Sequence, residues 1–292
     1  MKEIKLKIQI FALRAYVNAL ALFSETKASK LALSIFSRPR KGKLTDENRQ
    51  TLSSATWETL NLRDMTIQTY RWAGTKPTIL LAHGWESNAA RWQQLIKKLR
   101  KQGFTVVALD APAHGESGST QFNAVLYAEM MQIVVKRFAP VAIVGHSVGA
   151  FATAFFAIKY LPPSVSRLIL LAPPSEIEPF FKQYLSFMQF SKRVNRGFHK
   201  NVERLFRQPL AYFSIKKLIK PLQIKGLIIH DRTDAICPFT DGEQIHANWQ
   251  GSELVATEGY GHRLQNDKVN TLIVDYLKKR PTYSLTSLNY FH

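Results

Sequence analysis

The stretch "VAIVGHSVGAFATAF", residues 141–155, decides how the rest of the chain is read. A β-branched run enters Gly145-His146-Ser147-Val148-Gly149, and an alanine- and phenylalanine-rich run leaves it. The spacing predicts a strand handing over to a helix, with a serine between two glycines at the junction. In a G-x-S-x-G segment of this kind the serine sits on a sharp, strained turn, where small neighbours let other backbone pass close and the hydroxyl projects above a sheet edge. The following helix offers unpaired N–H groups and the positive end of its dipole to a developing oxyanion. A bare G-x-S-x-G arises by chance in many chains, and the strand and helix around it give Ser147 its weight as a candidate nucleophile.

Outward from this junction, short apolar runs recur: "TILLAHG" (78–84), "FTVVALDAP" (104–112), "RLILLAP" (167–173), "GLIIHD" (226–231) and a weaker "ELVATEG" (253–259). Runs without alternation suit strands buried on both faces of a parallel sheet. Helix-length segments lie between them, such as "NAARWQQLIKKLRKQ" and "NAVLYAEMMQIVVKRF", and "RLQNDKVNTLIVDYLKK" follows the last. Upstream, "WETLNLRDMTIQTYRWAG" alternates apolar and polar about Arg63-Asp64, which reads as an antiparallel hairpin. The expected fold is α/β, a mostly parallel wound sheet with helices on both faces. One connection is too long for a simple crossover. Residues 173–221, rich in Phe, Tyr, Lys and Arg, are read as a helical cap inserted at a strand's C-terminal edge. The expected organisation is an N-terminal helical extension at 1–45, a core formed by 46–172 and 222–292, and the cap at 173–221.

A serine hydroxyl needs a base, and the base needs an orienting group. On this turn the expected chain order is Ser, then Asp or Glu, then His. Downstream of Ser147 stand His199, His230, His246, His262 and His292. His262 lies just past the last predicted strand, in "EGYGHRL", at the same edge as the serine. His230 falls at a strand end, His246 inside a helix, His199 in the insertion and His292 at the terminus. For the carboxylate, "HDRTDAICP" offers two. Asp234, deeper in the loop, is the better placed to reach His262, and Asp231 is read as shaping the loop. Oxyanion donors are expected from the N–H of Val148 and from Trp85 in "AHGWES", with His83 as a loop-shaping hydrogen bonder.

These pieces together, "HGWES", "DAPAHGES", "GHSVG", "HDRTDAICP" and "GYGHR" in this order, resemble the α/β-hydrolase superfamily, in particular bacterial serine esterases and lysophospholipase-like members. The resemblance covers roughly residues 56–280. It implies the α/β-hydrolase fold and a catalytic set of Ser147, Asp234 and His262, with Trp85 and Val148 as the oxyanion hole. It also implies hydrolysis of esters, thioesters or amides without a cofactor. A serine at 147 argues against the branches with an aspartate nucleophile. The expected activity is therefore a serine hydrolase of carboxylic esters, small-molecule or lipid. Two alternatives stay open: acyl transfer on the same residues, and a non-catalytic protein binding membrane or anionic ligands.

Composition adds one unusual property. The chain carries a net charge of +19, with 11 Lys/Arg against 4 Asp/Glu in residues 1–50 and 10 against 3 in residues 173–221. Such a balance favours anionic partners. The N-terminal stretch to Lys43 reads as two helices; the plain reading packs them on the main domain, and the sharper one lays them on an anionic membrane, aided by the basic "RPRKGK" that follows. Arg14 and Asn18 interrupt its apolar run, so a secretory leader is not expected. The single cysteine, Cys237, rules out an intramolecular disulfide, suits a reducing compartment and reads as a buried structural thiol. The expected location is cytoplasmic, with the N-terminal helices as the element able to meet a membrane. No histidine pair has ligand spacing with a suitable partner, so no metal is expected, and no nucleic-acid motif is found.

Overall fold

The computed structural model describes residues 2–160 and 162–279. His292 and the end of the 222–292 segment lie outside the described residues. The chain begins with helices α1 (Lys2–Phe23), α2 (Glu25–Ser37) and the short α3 (Asp46–Leu52). Thr45 starts α3 with a capping box, its hydroxyl accepting from the Asn48 N–H while the Asn48 side chain accepts from the Thr45 N–H. The hairpin follows as β1 (Thr56–Leu62) and β2 (Met65–Trp72), turning at Arg63-Asp64 with Arg63 at φ 57°.

The wound part alternates as the apolar runs dictate: β3 (Lys76–Ala82), a 3₁₀ turn (Ala89–Trp92), α4 (Gln93–Lys101), β4 (Phe104–Leu109), α5 (Ala124–Phe138), β5 (Ala142–His146), α6 (Val148–Tyr160) and β6 (Arg167–Leu171). The insertion contributes α7 (Glu178–Met188), α8 (Lys192–Phe206), a 3₁₀ turn (Leu210–Tyr212) and α9 (Ile215–Leu218). β7 (Lys225–Asp231), α10 (Phe239–Asn248), β8 (Ser252–Thr257) and α11 (Asp267–Lys278) follow as the last elements among the described residues.

All eight strands form one sheet in the order β1-β2-β4-β3-β5-β6-β7-β8, antiparallel at β1 and β2 and parallel from β4 to β8. Two-sided burial shows in β3, whose Leu80 and Ala82 join one core while Ile79 and Leu81 join the other. The first core takes α5 and α6, and the second takes α4 and α11. The chain passes from β3 outward to β4 and then returns to β5 on the other flank of β3. Strand order therefore reverses at β3 and β5, the point where open α/β sheets form a crevice.

The extension and the insertion, which the sequence presents as separate appendages, form one helical layer. Phe36 of α2 packs against Phe181, Tyr184 and Phe198 of α7 and α8. Asn201 donates to the Ser29 hydroxyl at 2.8 Å, and the Tyr184 hydroxyl donates to the Ala32 carbonyl at 2.9 Å. Phe181, Phe190, Phe198 and Phe213 are buried, and Tyr184 and Phe206 pack against them, so these rings extend the core on the α5/α6 face of the sheet into the helical layer. The basic stretch after α2 is not a free tether. Arg40 pairs with Glu86, the Gly42 carbonyl accepts from the Gly115 N–H at 2.8 Å, and Lys43 reaches the Ser117 carbonyl.

Candidate active site

Ser147 follows β5 directly and adopts φ 55°, a left-handed conformation that a serine occupies at a cost. The two flanking glycines are required by proximity. A Cβ on Gly149 would lie 2.3 Å from the His83 carbonyl oxygen, and one on Gly145 would lie 2.7 Å from the Ala150 Cα. This tightness draws the end of β3 against the start of α6. A Cβ on Gly84 would lie 3.0 Å from the Ser147 Cβ, so the loop carrying Trp85 passes beside the serine. As the first residue of α6, Val148 has an N–H with no intrahelical acceptor.

From Ser147 a hydrogen-bonded chain runs through three elements. The hydroxyl donates to His262 Nε2 at 2.9 Å, and His262 Nδ1 donates to Asp234 Oδ2 at 2.8 Å. Asp234 sits in the loop after β7, and His262 in the loop after β8. The second carboxylate oxygen of Asp234 accepts the N–H groups of Ile236 and Cys237 at 2.8 and 2.9 Å. Burial opposes ionisation of Asp234, but hydrogen bonds from His230, His262 and these two amides outweigh it and hold the carboxyl below the usual range. A fixed carboxylate on Nδ1 selects the tautomer whose Nε2 carries a lone pair toward the serine.

Asp231, the other carboxylate of the loop, does not approach the imidazole. It accepts from Thr233 N and Oγ1 at 3.0 and 2.6 Å, from Thr257 Oγ1 at 2.8 Å and from Tyr260 N at 2.9 Å. These bonds clamp the β7 loop to the β8 loop. His246 and His199 lie apart from the chain, on α10 and α8. His230 is buried beneath Asp234, its Nε2 2.9 Å from the Cys237 carbonyl and 3.4 Å from Asp234 Oδ2. Cys237 itself is buried, and burial pushes its thiol up. Among the described residues no cluster of three metal-ligating side chains occurs.

Sequence reasoning missed several supports. His146, the second residue of the motif, bonds through Nε2 to the His262 carbonyl at 2.8 Å. Burial keeps this imidazole far below its ordinary pKa, so it is neutral and donates through Nε2. Arg91 donates to the Arg263 carbonyl at 2.9 Å and accepts from Gln265 on its own carbonyl at 3.0 Å, bracing the next residues of the same loop. A strand-end histidine before the serine was the only visible signal for His146; nothing local marked Arg91. A cavity of about 230 Å³ lies beside this brace, lined by Arg91, Trp92, Leu171, Leu264, Gln265 and Asn270 among others, and none of Ser147, Asp234 or His262 lines it.

The Trp85 loop is held from below. His83 accepts the Ala111 N–H on Nε2 at 2.9 Å and donates Nδ1 to the Gly84 carbonyl at 2.7 Å. His114 accepts the Glu86 N–H on Nε2 at 3.0 Å and donates Nδ1 to the Pro112 carbonyl at 2.8 Å. Each ring must be neutral to accept, and burial lowers their pKa values to about 3 and about 4. Asp110 anchors the pair of loops by accepting from the Tyr70 hydroxyl at 2.6 Å, the Ala89 N–H at 2.9 Å and the Glu116 N–H at 3.0 Å.

A sequence profile of the α/β-hydrolase fold matches residues 77–223. The chain belongs to the α/β-hydrolase family. A Mycobacterium tuberculosis protein is 38% identical over 107 residues, 35% of this chain and 31% of that one, so the chain spans about a third of that relative. The pimeloyl-[acyl-carrier protein] methyl ester esterase of Vibrio vulnificus is 30% identical over 158 residues, 51% of this chain and 60% of the esterase. Among solved structures, an esterase from Exiguobacterium antarcticum superposes with a TM-score of 0.60 at 18% identity, covering 76% of this chain and all of its own (100%). A membrane phospholipase A superposes with a TM-score of 0.61 at 16% identity, covering 95% of this chain and 98% of its own. Likeness at that identity speaks for the fold.

Proposed function

We propose that this α/β-hydrolase cleaves carboxylic esters by nucleophilic catalysis at Ser147, without a cofactor. The observation that carries the reading is the unbroken chain Ser147 Oγ to His262 Nε2 to Asp234 Oδ2, at 2.9 and 2.8 Å, with the serine on a strained turn. Support for the ester class comes from the Vibrio vulnificus relative, whose name states a methyl ester esterase.

In this mechanism Ser147 Oγ attacks the ester carbonyl carbon while its proton passes to His262 Nε2. The imidazolium that forms is stabilised by Asp234. The carbonyl oxygen gains the negative charge and accepts from the N–H groups of Val148 and Trp85, each worth about 2.7–4 kcal/mol in the transition state. The C–O bond to the alcohol breaks, His262 returns the proton to the leaving oxygen, and an acyl-Ser147 ester remains. Water then attacks this ester while His262 takes its proton, the bond from the acyl carbon to Ser147 Oγ breaks, and His262 returns the proton to Oγ, releasing the acid and regenerating Ser147.

Labelling by a fluorophosphonate probe and turnover of p-nitrophenyl butyrate test the reading. Wild type is expected to label and turn over, and Ser147→Ala to do neither. Equal labelling of the two chains would overturn it.

A further inference from the structure

α1 turns an apolar stripe outward. Ile4, Ile8, Phe11 and Leu22 recur at helical spacing and are 64%, 62%, 66% and 71% exposed. On a different face, roughly 100–140° around the axis from Ile4, Val17 and Ala21 are buried in the core. About the helix axis Lys5 lies roughly 100° from Ile4 on one side of the stripe and Lys7 roughly 60° from it on the other. The same helix is fastened to the turn between α7 and α8. Arg14 Nε donates to the Met188 carbonyl at 3.0 Å, and Asn18 accepts from the Ser191 N–H at 2.8 Å. Beside that turn, Phe187 is exposed.

Charge decides what covers the stripe. Helices α1, α2 and α8 of the helical layer carry eleven Lys/Arg against three Asp/Glu, and α7 adds one of each. Of those three, Glu25 is already surrounded by Arg193, Arg196 and Lys200. A second copy docking through this face would bring two such layers of like charge together. A nucleic acid would leave the apolar stripe in water. We infer that this layer docks on an anionic phospholipid bilayer, with α1 in the plane of the interface. There the stripe enters the acyl boundary, the flanking lysines reach the headgroups, and the basic layer meets the surface charge.

An orientation across the bilayer does not fit, although Ile4–Phe23 has the length and hydropathy of a span. One flank of α1 is packed against protein, and its Arg14 and Asn18 are tied to cap backbone. The cap leaves the sheet after β6, next to β5 and Ser147. Docking through this layer therefore brings the serine's sheet edge toward the membrane, where lipid-dissolved esters lie.

The test is co-sedimentation of the full chain, carrying Ser147→Ala, with phosphatidylcholine vesicles with and without phosphatidylglycerol, at low and high salt. Expected is binding to the anionic vesicles that weakens with salt. The exposed-face variant Ile4→Ser/Ile8→Ser/Phe11→Ser, with its thermal midpoint unchanged, is expected to bind at least about tenfold more weakly. A second variant, Lys5→Glu/Lys7→Glu, is expected to lose the preference for phosphatidylglycerol. In the active chain the stripe variant keeps p-nitrophenyl butyrate turnover and loses hydrolysis of vesicle-embedded esters. Equal binding of wild type and stripe variant would overturn the inference. So would release by detergent alone with resistance to alkaline carbonate, the mark of a span, or a dimer broken by the stripe variant in a chain that ignores vesicles. Because binding is read on the Ser147→Ala chain, it stands or falls apart from the hydrolase proposal.

Discussion

Replacing Asp234 by asparagine isolates the imidazole tautomer as the source of rate. In the native chain Asp234 Oδ1 accepts two backbone N–H groups, from Ile236 and Cys237 at 2.8 and 2.9 Å. Those amides demand an acceptor, so the asparagine carbonyl oxygen must take that position. Its NH₂ then falls where Oδ2 stood, 2.8 Å from His262 Nδ1. A donor there forces Nδ1 to accept and moves the ring proton to Nε2, which faces Ser147 without a lone pair. Acylation is expected to slow by about 10⁴, some 5.5 kcal/mol of barrier, with KM little changed. The two amide bonds survive, so the fold is retained.

Stopped-flow release of p-nitrophenol and the rate of fluorophosphonate labelling both read this step. Asp231→Asn serves as the control. A single amide oxygen cannot accept all four bonds that Asp231 now accepts, so stability falls by about 1–3 kcal/mol while acylation changes less than about tenfold. An Asp234→Asn chain labelled within about tenfold of wild type would refute the argument, as would an Asp231→Asn chain slowed equally.

Two further outcomes follow from the supports around the site. His146→Phe keeps the buried ring volume but removes the bond to the His262 carbonyl; kcat is expected to fall about 10- to 100-fold with KM nearly constant, His146→Gln recovering part of it, and a kcat unaffected by His146→Phe would sink the positioning role. Stability should also decline well above the carboxylate range. His83 and His114 titrate at about 3 and about 4 when folded, so between those values and about 6.5 the unfolded chain binds more protons and stability drops as pH falls. His114 alone contributes on the order of 3 kcal/mol over this window, and His114→Gln should flatten the slope of the thermal midpoint between about pH 6 and 4.5. Asp231 and Asp234, held below their ordinary range, add a later loss beneath about pH 4. A midpoint constant from neutral pH to about 4.5 would contradict this account.

The sheet and its order of elements were legible because apolar runs buried on both faces leave a local record in the chain. The G-x-S-x-G turn was legible for the same kind of reason: crowding by Ala150 and by the His83 carbonyl admits only glycine at 145 and 149, two residues either way from Ser147. Sequence alone also singled out Asp234 and His262, since a loop following a parallel strand must emerge at the edge where Ser147 sits.

What only the tertiary structure decided is contact between distant segments. The bond from His146 to the His262 carbonyl spans 116 positions, and that from Arg91 to Arg263 spans 172. The pairing of α2 with α8 likewise joins regions that read as unrelated appendages. The basic stretch at 38–43, which the sequence offered to a membrane, is bonded to the loops beside Trp85. Backbone carbonyls have no residue identity, and an exposed apolar stripe on α1 reads the same as a buried one until its neighbours are in place. Periodicity reveals which side chains share a face, whereas the partner of that face is set by how the whole chain closes.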